Sequence, residues 1–202
     1  MIFRLRTDKK QLTRVINSID GIISNLKGIH VKTTMSKLDG IFPYYKYCVI
    51  DLEGSPPKLF GLIISNKMYQ LMVTSEKHVD QLYLVIWRIL HVLLDYYLFT
   101  FSNHESRFLK RILPYKLKLS KDENFLQELK IINVQKRDFE GLVPALYSVG
   151  KKSYPDPLLR DSKNIELHFK NMNYFLILEH NKSCLLSTLK IVQKRYLKLN
   201  LI

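Results

Sequence analysis

The apolar residues in the first half of the chain switch between helical and strand-like spacing. Apolar side chains recur every three or four positions from residue 9 to residue 26, which predicts an amphipathic helix with Asp8 as its N-cap. Residues 29–35 and 42–52 are rich in β-branched and aromatic side chains, so each predicts a strand. A helix followed by two strands is therefore expected.

A hairpin and a long helix are predicted next. Residues 58–65 and 68–74 are two apolar runs separated by a polar pair at 66–67, a pattern typical of a β-hairpin. Ser75 is expected to cap a helix that begins at Glu76. The apolar face of this helix is formed by Leu82, Val85, Ile86, Ile89, Leu93 and Tyr97.

The second half of the chain repeats this order of patterns. Residues 140–144 have the same sequence of acid, Gly, two apolar residues and Pro as residues 39–43. The predicted elements of this second unit are strands at 129–134 and 139–149, a hairpin of 164–169 and 173–179, and a helix over 182–199. A unit that occurs twice predicts a molecule with approximate twofold symmetry.

The expected fold class is α+β, with two repeats that form one curved antiparallel sheet backed by helices on a single face. The predicted organisation is a strand and helix extension over 1–28, repeat 1 over 29–102, a basic linker over 103–128 and repeat 2 over 129–202.

Charge narrows the class of partner. The 202 residues include 32 Lys and Arg against 18 Asp and Glu, and the formal net charge is +14. Such a surplus favours a polyanion, either nucleic acid or an anionic membrane surface. The two cysteines, Cys48 and Cys184, lie within apolar patterns and indicate neither a disulfide framework nor a zinc site. A reducing compartment is expected, and no cofactor or metal is predicted.

The most apolar segment, residues 82–101, is not expected to span a membrane. Arg88, His91 and Asp95 are spaced by three and four positions, so they lie on one face of the predicted helix. Three polar groups within a segment of this length are typical of an amphipathic or largely buried helix rather than a membrane span.

Several segments resemble the TATA-binding protein family. Residues 57–68 read Pro-Lys-Leu-Phe-Gly-Leu-Ile-Ile-Ser-Asn-Lys-Met and resemble the strand, Ser-Gly-Lys turn and second strand of that family's repeat. Residues 39–47 are similar to its Glu-Leu-Phe-Pro-Gly-Leu-Ile-Tyr-Arg strand, and residues 129–134 to the opening of its second repeat. Asn66 replaces the turn glycine, and Asn tolerates positive φ. Between Phe139 and Asn164, the sequence can be aligned with the family's second repeat in two different registers.

The resemblance implies a highly diverged member of the family, such as a viral TATA-binding-like protein, with a saddle fold. Its concave sheet would engage and bend double-stranded promoter DNA for transcription initiation. The implied partners are the DNA, an RNA polymerase and a B-type initiation factor. The implied location is intracellular, in the nucleus, or in the host cytoplasm or virion if the protein is viral.

The resemblance also implies DNA-binding residues. The positions of the family's wedges between base steps are taken by Phe42, Ile64, Val143 and Phe169. Asn133 takes the place of a base-reading asparagine, while Lys46, Lys67 and Lys170 are candidates for phosphate contacts. Each of these roles has a structural alternative. The apolar positions would be strand residues that face the core, the asparagine would be a surface or bulge residue, and the lysines would protect sheet edges.

The alternatives to DNA bending are an enzyme, a basic structural protein and a processivity factor. An enzyme is not expected: Asp51 and Glu53 share a strand face that suits a metal, but no third ligand lies nearby in sequence. The second hypothesis is a basic structural or assembly protein, such as a viral matrix-like or ribonucleoprotein subunit that binds RNA or anionic membrane. A third is a sliding-clamp-like processivity factor, which would place helices rather than a sheet toward DNA.

Overall fold

Six strands form one mixed sheet in the computed structural model of the chain, which describes residues 7–24, 26–35, 46–118, 123–135, 141–158 and 164–196. The strands are β1 (Ile29–Met35), β2 (Tyr47–Glu53), β3 (Leu59–Ile64), β4 (Lys67–Val73), β5 (Tyr97–Thr100) and β6 (Lys130–Asn133). Their order across the sheet is β1-β4-β3-β2-β5-β6.

The sheet has an antiparallel half and a parallel half. Strands β1, β4, β3 and β2 pair antiparallel, whereas β2, β5 and β6 pair parallel to one another. The carboxyl ends of β2 and β5 therefore lie at the same end of the sheet, where parallel sheets commonly bind ligands.

Helices cover both faces of this sheet. They are α1 (Lys9–Ile23), α2 (Val79–Val92), α3 (Asn103–Arg107), α4 (Leu113–Lys116), α5 (Glu123–Glu128), α6 (Leu142–Ser148), α7 (Ile165–Lys170) and α8 (Tyr174–Arg195). A 3₁₀ turn over Glu76–His78 precedes α2, and a π-helical segment over Phe108–Ile112 connects α3 to α4. No helix in these ranges is both long and apolar enough to cross a membrane.

The alternation of side chains along the strands divides the core into two layers. On β2, Cys48, Ile50 and Leu52 face the layer that contains α1 and α2. Tyr47 and Val49 point to the opposite layer, which contains α6 and α8. A smaller apolar cluster lies beneath α7 and the first turns of α8. Because helices pack on both faces, the inner strands are buried on both sides and read as continuous apolar runs.

Most elements predicted in the first half are confirmed. Asp8 caps α1, with its Oδ1 accepting a hydrogen bond from the Gln11 backbone at 2.6 Å. Strand β1 has the predicted bounds, and β3 and β4 form the predicted hairpin. The predicted strand over 42–52 is confirmed from Tyr47 onward, and its first residues lie outside the described ranges.

The extent of the long helix was predicted wrongly. Helix α2 ends at Val92, and Tyr97, placed on its apolar face by the sequence, begins strand β5 instead. The four residues of β5 are aromatic or apolar except Thr100, and they pair on both sides with parallel strands. This pairing overrides the helical spacing of the preceding residues.

Most of the predicted strands of the second half are wrong. Strand β6 is confirmed, but residues 142–148 form α6, and the predicted hairpin of 164–169 and 173–179 is α7 and the first part of α8. A short apolar run is compatible with a buried strand or a buried helix, and periodicity does not separate them. The mixture of helix and sheet is therefore as predicted, while the pseudo-twofold saddle is not confirmed.

A buried polar row connects the sheet to α8. Asp51 on β2 lies opposite Gly61 on β3, which in turn lies opposite Gln70 on β4. Asn181 of α8 lies above this row, donating from Nδ2 to Asp51 at 2.7 Å and accepting at Oδ1 from Gln70 at 2.9 Å. Gln70 also donates to the Leu178 carbonyl at 2.7 Å. Gly61 leaves the space that the Asn181 side chain fills.

We expect Gly61→Ala to lower the free energy of unfolding by about 1–3 kcal/mol, the usual cost of overpacking. Its Cβ would overlap with the Asn181 amide and would lie 2.7 Å from Leu185 Cδ1. Gly21→Ala is the control, because no atom lies within 4 Å of its Cβ and alanine favours the helix. Urea denaturation measures both; equal stability of the two variants would contradict the packing of Asn181 against Gly61.

Candidate functional site

A cavity of about 720 Å³ opens at the carboxyl ends of β2 and β5. Its walls come from β2, the β5–α3 junction, the start of α6, the loop before α7 and the middle of α8. Its titratable lining consists of Asp51, Glu53, Glu105, Asp156, His180 and Cys184, together with Tyr154. Residues far apart in sequence therefore meet in one place.

Secondary structure aims each of these groups into the cavity. Asp51 and Glu53 alternate with core residues on β2 and so share the face toward α8. Glu105 is held by a capping box at the start of α3, where its Oε2 accepts from the Ser102 hydroxyl at 2.6 Å and from the Ser102 backbone at 3.1 Å. His180 and Cys184 are one turn apart on α8.

His180 is the centre of the polar contacts. Its Nδ1 lies 2.8 Å from Asp156 Oδ1. Its Nε2 lies 3.3 Å from Glu53 Oε1 and 3.7 Å from Cys184 Sγ. The imidazole thus connects the loop before α7 to the end of β2.

Burial and mutual repulsion shift the acid groups in one direction. Burial raises the pKa of Asp51 well above its usual range, and the neighbouring charges of Glu53 and Glu105 raise it further. Burial raises the pKa of Glu53 to about 7, although nearby His180 opposes this. Burial also raises the pKa of the Glu105 carboxyl and of the Cys184 thiol. These groups lie where a negative charge is poorly solvated.

The cavity collects more acidic side chains than its basic side chains can neutralise. Within the described residues, no Lys or Arg lines it, and His180 is its one basic side chain. Buried carboxylates are normally paired with cationic side chains or bound to metal ions. Oxygen, nitrogen and sulfur donors converge here, so the chemistry suits a divalent cation.

A basic groove lies beside the cavity on the same helical segment. We define the basic groove as the roughly 300 Å³ depression lined by Asn103, Ser106, Arg107, Lys110 and Arg111. The last three side chains are exposed, and Lys110 and Arg111 belong to the π-helical segment. Glu105 faces the cavity from α3, which continues directly into the π-helical segment, so acidic and basic surfaces adjoin.

A second group of cations borders the cavity at Tyr154. Lys190 of α8 lies over the Tyr154 ring, with its Nζ 3.7 Å from the ring centroid. Burial lowers the pKa of Lys190, and the charge of Lys151 lowers it further. The positive charge of these two lysines favours a bound anion at this border.

The three predicted wedge positions that the structure describes do not meet on one surface. Ile64 is fully buried beneath α1 and α2, and Phe169 is 7% exposed on α7, where it packs against the sheet. Val143 lies on α6 and lines the cavity. Phe42 lies outside the described residues. The sequence placed Phe169 and Val143 on strands; both assignments are wrong, since these segments are helical.

The predicted polar contacts are dispersed in the same way. Asn133 ends β6, and its Nδ2 donates to Asn103 of the basic groove at 2.8 Å. The Lys67 Nζ donates to both carboxylate oxygens of Asp20 at 2.7 Å.

The other two lysines lie apart from these. The Lys46 Nζ lies 4.0 Å from Asp95 Oδ2. Lys170 is exposed at the end of α7. The DNA-binding roles of these residues remain predictions.

Sequence reasoning found only part of the cavity. Asp51 and Glu53 were recognised as a pair on one strand face, but His180 and Cys184 follow more than a hundred residues later. Two signals were available: the capping-box spacing of Ser102 and Glu105, and the i, i+4 spacing of His180 and Cys184. Neither signal shows by itself that these groups converge.

Comparison of the chain with protein-family models, with curated proteins and with solved structures gave no match. The geometry and charge of the cavity and its surroundings are therefore what bears on function.

We expect Asp51→Asn to stabilise the protein at pH 7 when a chelator removes metal ions. Because the folded state raises the pKa of Asp51, folding opposes its ionisation, and this cost grows as the pH rises above the unfolded value of about 3.9. The new amide oxygen still accepts from Asn181. The gain should therefore shrink as the pH falls toward about 4.

Thermal unfolding at several pH values measures this gain. Asp80→Asn, which alters an exposed carboxylate in the first turn of α2, is the control and should show no gain that grows with pH. Destabilisation by Asp51→Asn at neutral pH would contradict the assigned electrostatics.

Proposed function

We propose that this protein is a divalent-metal-dependent phosphodiesterase that acts on nucleic acid. The observation that carries the proposal is the convergence of Asp51, Glu53 and Glu105 in a cavity beside an exposed basic groove. Acidic groups that bind cations and basic groups that bind phosphates are complementary parts of such a site.

The carboxylates account for the metal. A divalent ion bound in the cavity would lower the pKa of a coordinated water and offset charge on the phosphate. Asp51 and Glu105 come from separate elements, and each is fixed by a hydrogen bond, from Asn181 and from Ser102. Fixed ligands hold an ion with little reorganisation.

The reaction follows from these parts. A water oxygen forms a bond to phosphorus, and the bond from phosphorus to one ester oxygen breaks. The attacking water loses a proton, and the leaving oxygen gains one, which gives a phosphate monoester and a free hydroxyl group.

The charge distribution favours nucleic acid over a small phosphate ester. The net charge of +14 exists despite the acidic cavity, so the basic surplus lies elsewhere on the protein. Arg107, Lys110 and Arg111 form one exposed set beside the cavity, and half-buried Lys151 and Lys190 add positive charge near Tyr154. Positive charge on two sides of the cavity is suited to a nucleic-acid strand, whose successive phosphates could contact both sides.

A TATA-binding-like mechanism has less support from the fold. That mechanism requires an exposed sheet face to lie on the DNA. In the described residues, α1 and α2 cover one face, while α6 and α8 cover the other. The expectation of a nucleic-acid partner is kept, and the proposed contact surface moves from the sheet to the basic groove.

The protein is expected to cleave oligonucleotides with added divalent cations and to lose this activity in a chelator. Asp51→Asn and Glu105→Gln should each lower the cleavage rate by at least about 100-fold. Mutation of a residue that only supports a metal ligand typically lowers activity by about 10–100-fold, and loss of the ligand itself should cost more. Glutamine retains the capping box, so Glu105→Gln tests chemistry more than folding.

Asp80→Asn is again the matched control and should cleave like the unaltered chain. Gel analysis of labelled DNA and RNA measures the rates. Undiminished cleavage by both cavity variants, or cleavage that a chelator does not affect, would contradict the proposal.

The basic groove is expected to supply phosphate contacts. Replacing Arg107, Lys110 and Arg111 together by alanine, in the Asp51→Asn background, should weaken oligonucleotide binding by at least about tenfold. The slope of log affinity against log salt should fall in magnitude by about 2–3, as expected for three lost phosphate contacts. Fluorescence anisotropy at several salt concentrations gives both quantities.

Arg88→Ala in the same background serves as the control, since Arg88 is exposed on α2 and lines neither the cavity nor the groove. An unchanged salt slope in the triple variant would show that the groove does not contact phosphates.

A further inference from the structure

Three cavity side chains of different chemistry face one another. Glu53 ends β2, while His180 and Cys184 project from successive turns of α8. One potential ligand atom from each lies within 4.8 Å of the other two. A carboxylate oxygen, an imidazole nitrogen and a thiol sulfur therefore surround a volume suited to a single ion.

The separations fit tetrahedral coordination. His180 Nε2 lies 3.3 Å from Glu53 Oε1 and 3.7 Å from Cys184 Sγ. Zinc bonds of about 2.0 Å to nitrogen or oxygen and about 2.3 Å to sulfur give tetrahedral edges of about 3.3 Å and about 3.5 Å. The side chains already have nearly the spacing that an ion would impose.

The orientation of His180 is a second, independent observation. Asp156 Oδ1 lies 2.8 Å from its Nδ1, and an Nδ1–H bond to a carboxylate is the usual support of a metal-binding histidine. That bond leaves the Nε2 lone pair directed toward Glu53 Oε1, which is also an acceptor. A cation between the two atoms removes this conflict. The competing arrangement is a proton between Nε2 and Glu53, either on Nε2, which makes an imidazolium, or on the Glu53 carboxyl, which then donates to Nε2.

We propose that Glu53, His180 and Cys184 bind a zinc-class ion, with the fourth coordination position open to the cavity. Three protein ligands and one open position are typical of a catalytic rather than a structural zinc site. The inference rests on the proposed function in that it places the ion in the same cavity, but ion binding does not require cleavage. Binding converts the Cys184 thiol to thiolate and releases its proton to solvent.

The donor set selects the class of metal. Magnesium prefers oxygen ligands in octahedral geometry, whereas a thiolate and an imidazole favour zinc or cobalt. Cys184 is therefore the specificity-determining residue of this site. Cys184→Asp would keep a ligand while replacing sulfur by oxygen, so it should shift the preference toward magnesium and manganese.

The test uses the metal-stripped full chain titrated with Co²⁺. We expect one equivalent to bind, with the visible bands of tetrahedral cobalt and a thiolate-to-cobalt charge-transfer band. Zn²⁺ should displace the cobalt, and an excess of Mg²⁺ should not. X-ray absorption of the zinc-loaded unaltered chain should show one sulfur ligand, a measurement that needs no variant to fold.

Variants then assign the ligands. Cys184→Ser should abolish the charge-transfer band and weaken Zn²⁺ binding by at least about 100-fold, while Asp156→Asn should weaken it by about 10–100-fold. Cys48→Ala is the matched control, because Cys48 is buried in the opposite core layer, and it should keep the band.

Three results would overturn the inference: zinc without a sulfur ligand, a charge-transfer band that survives Cys184→Ser, or no bound ion and an imidazolium at His180 by nuclear magnetic resonance. Zinc binding as described without any cleavage would refute the proposed function and leave the metal site intact. Magnesium-dependent cleavage by a chain that binds neither Co²⁺ nor Zn²⁺ through Cys184 would support the proposed function and refute this metal site.

Discussion

One buried amide holds the last helix in register with the sheet. Asn181 is fully buried. Its amide nitrogen donates a hydrogen bond to Asp51, and its amide oxygen accepts one from Gln70. Loss of either bond would leave a buried polar group unsatisfied, at a cost of about 1–3 kcal/mol. His180 and Cys184 flank Asn181 on the same helix, so the contact that docks α8 also sets their distance from Glu53.

The cavity places demands on the fold that packing alone would not. Asp51 and Glu53 occupy strand positions whose neighbours on β2 are all apolar, and burial disfavours their charged forms. An apolar pair at these positions would cost less in folding. A fold that retains acids where they are unfavourable is consistent with their use in chemistry, since stability and activity commonly conflict at functional sites.

The first half of the fold was predictable because its signals are local. Asp8 caps α1. Two apolar runs separated by a short polar turn define β3 and β4 within a few positions. The parallel pairing of β5 with β2 and β6 depends on contacts between distant segments, which propensity does not contain. Residues 174–178 are apolar and aromatic like a strand, yet form the start of α8 because that helix is buried against the sheet. The convergence of Glu53 with His180 was unpredictable for the same reason.

The position of α8 in the chain determines when the cavity can exist. During synthesis, the hairpin of β3 and β4 is complete about a hundred residues before α8, and domains gain stable structure as their segments emerge. Until α8 is made, Val49, Ile63 and Met68 lack the apolar side chains of α8 that pack on them, and Asp51 lacks its hydrogen bond from Asn181. The last long helix therefore both closes the core and assembles the site. A nascent chain that lacks it carries an open apolar sheet face, a target for chaperones, and has no competence for the proposed chemistry.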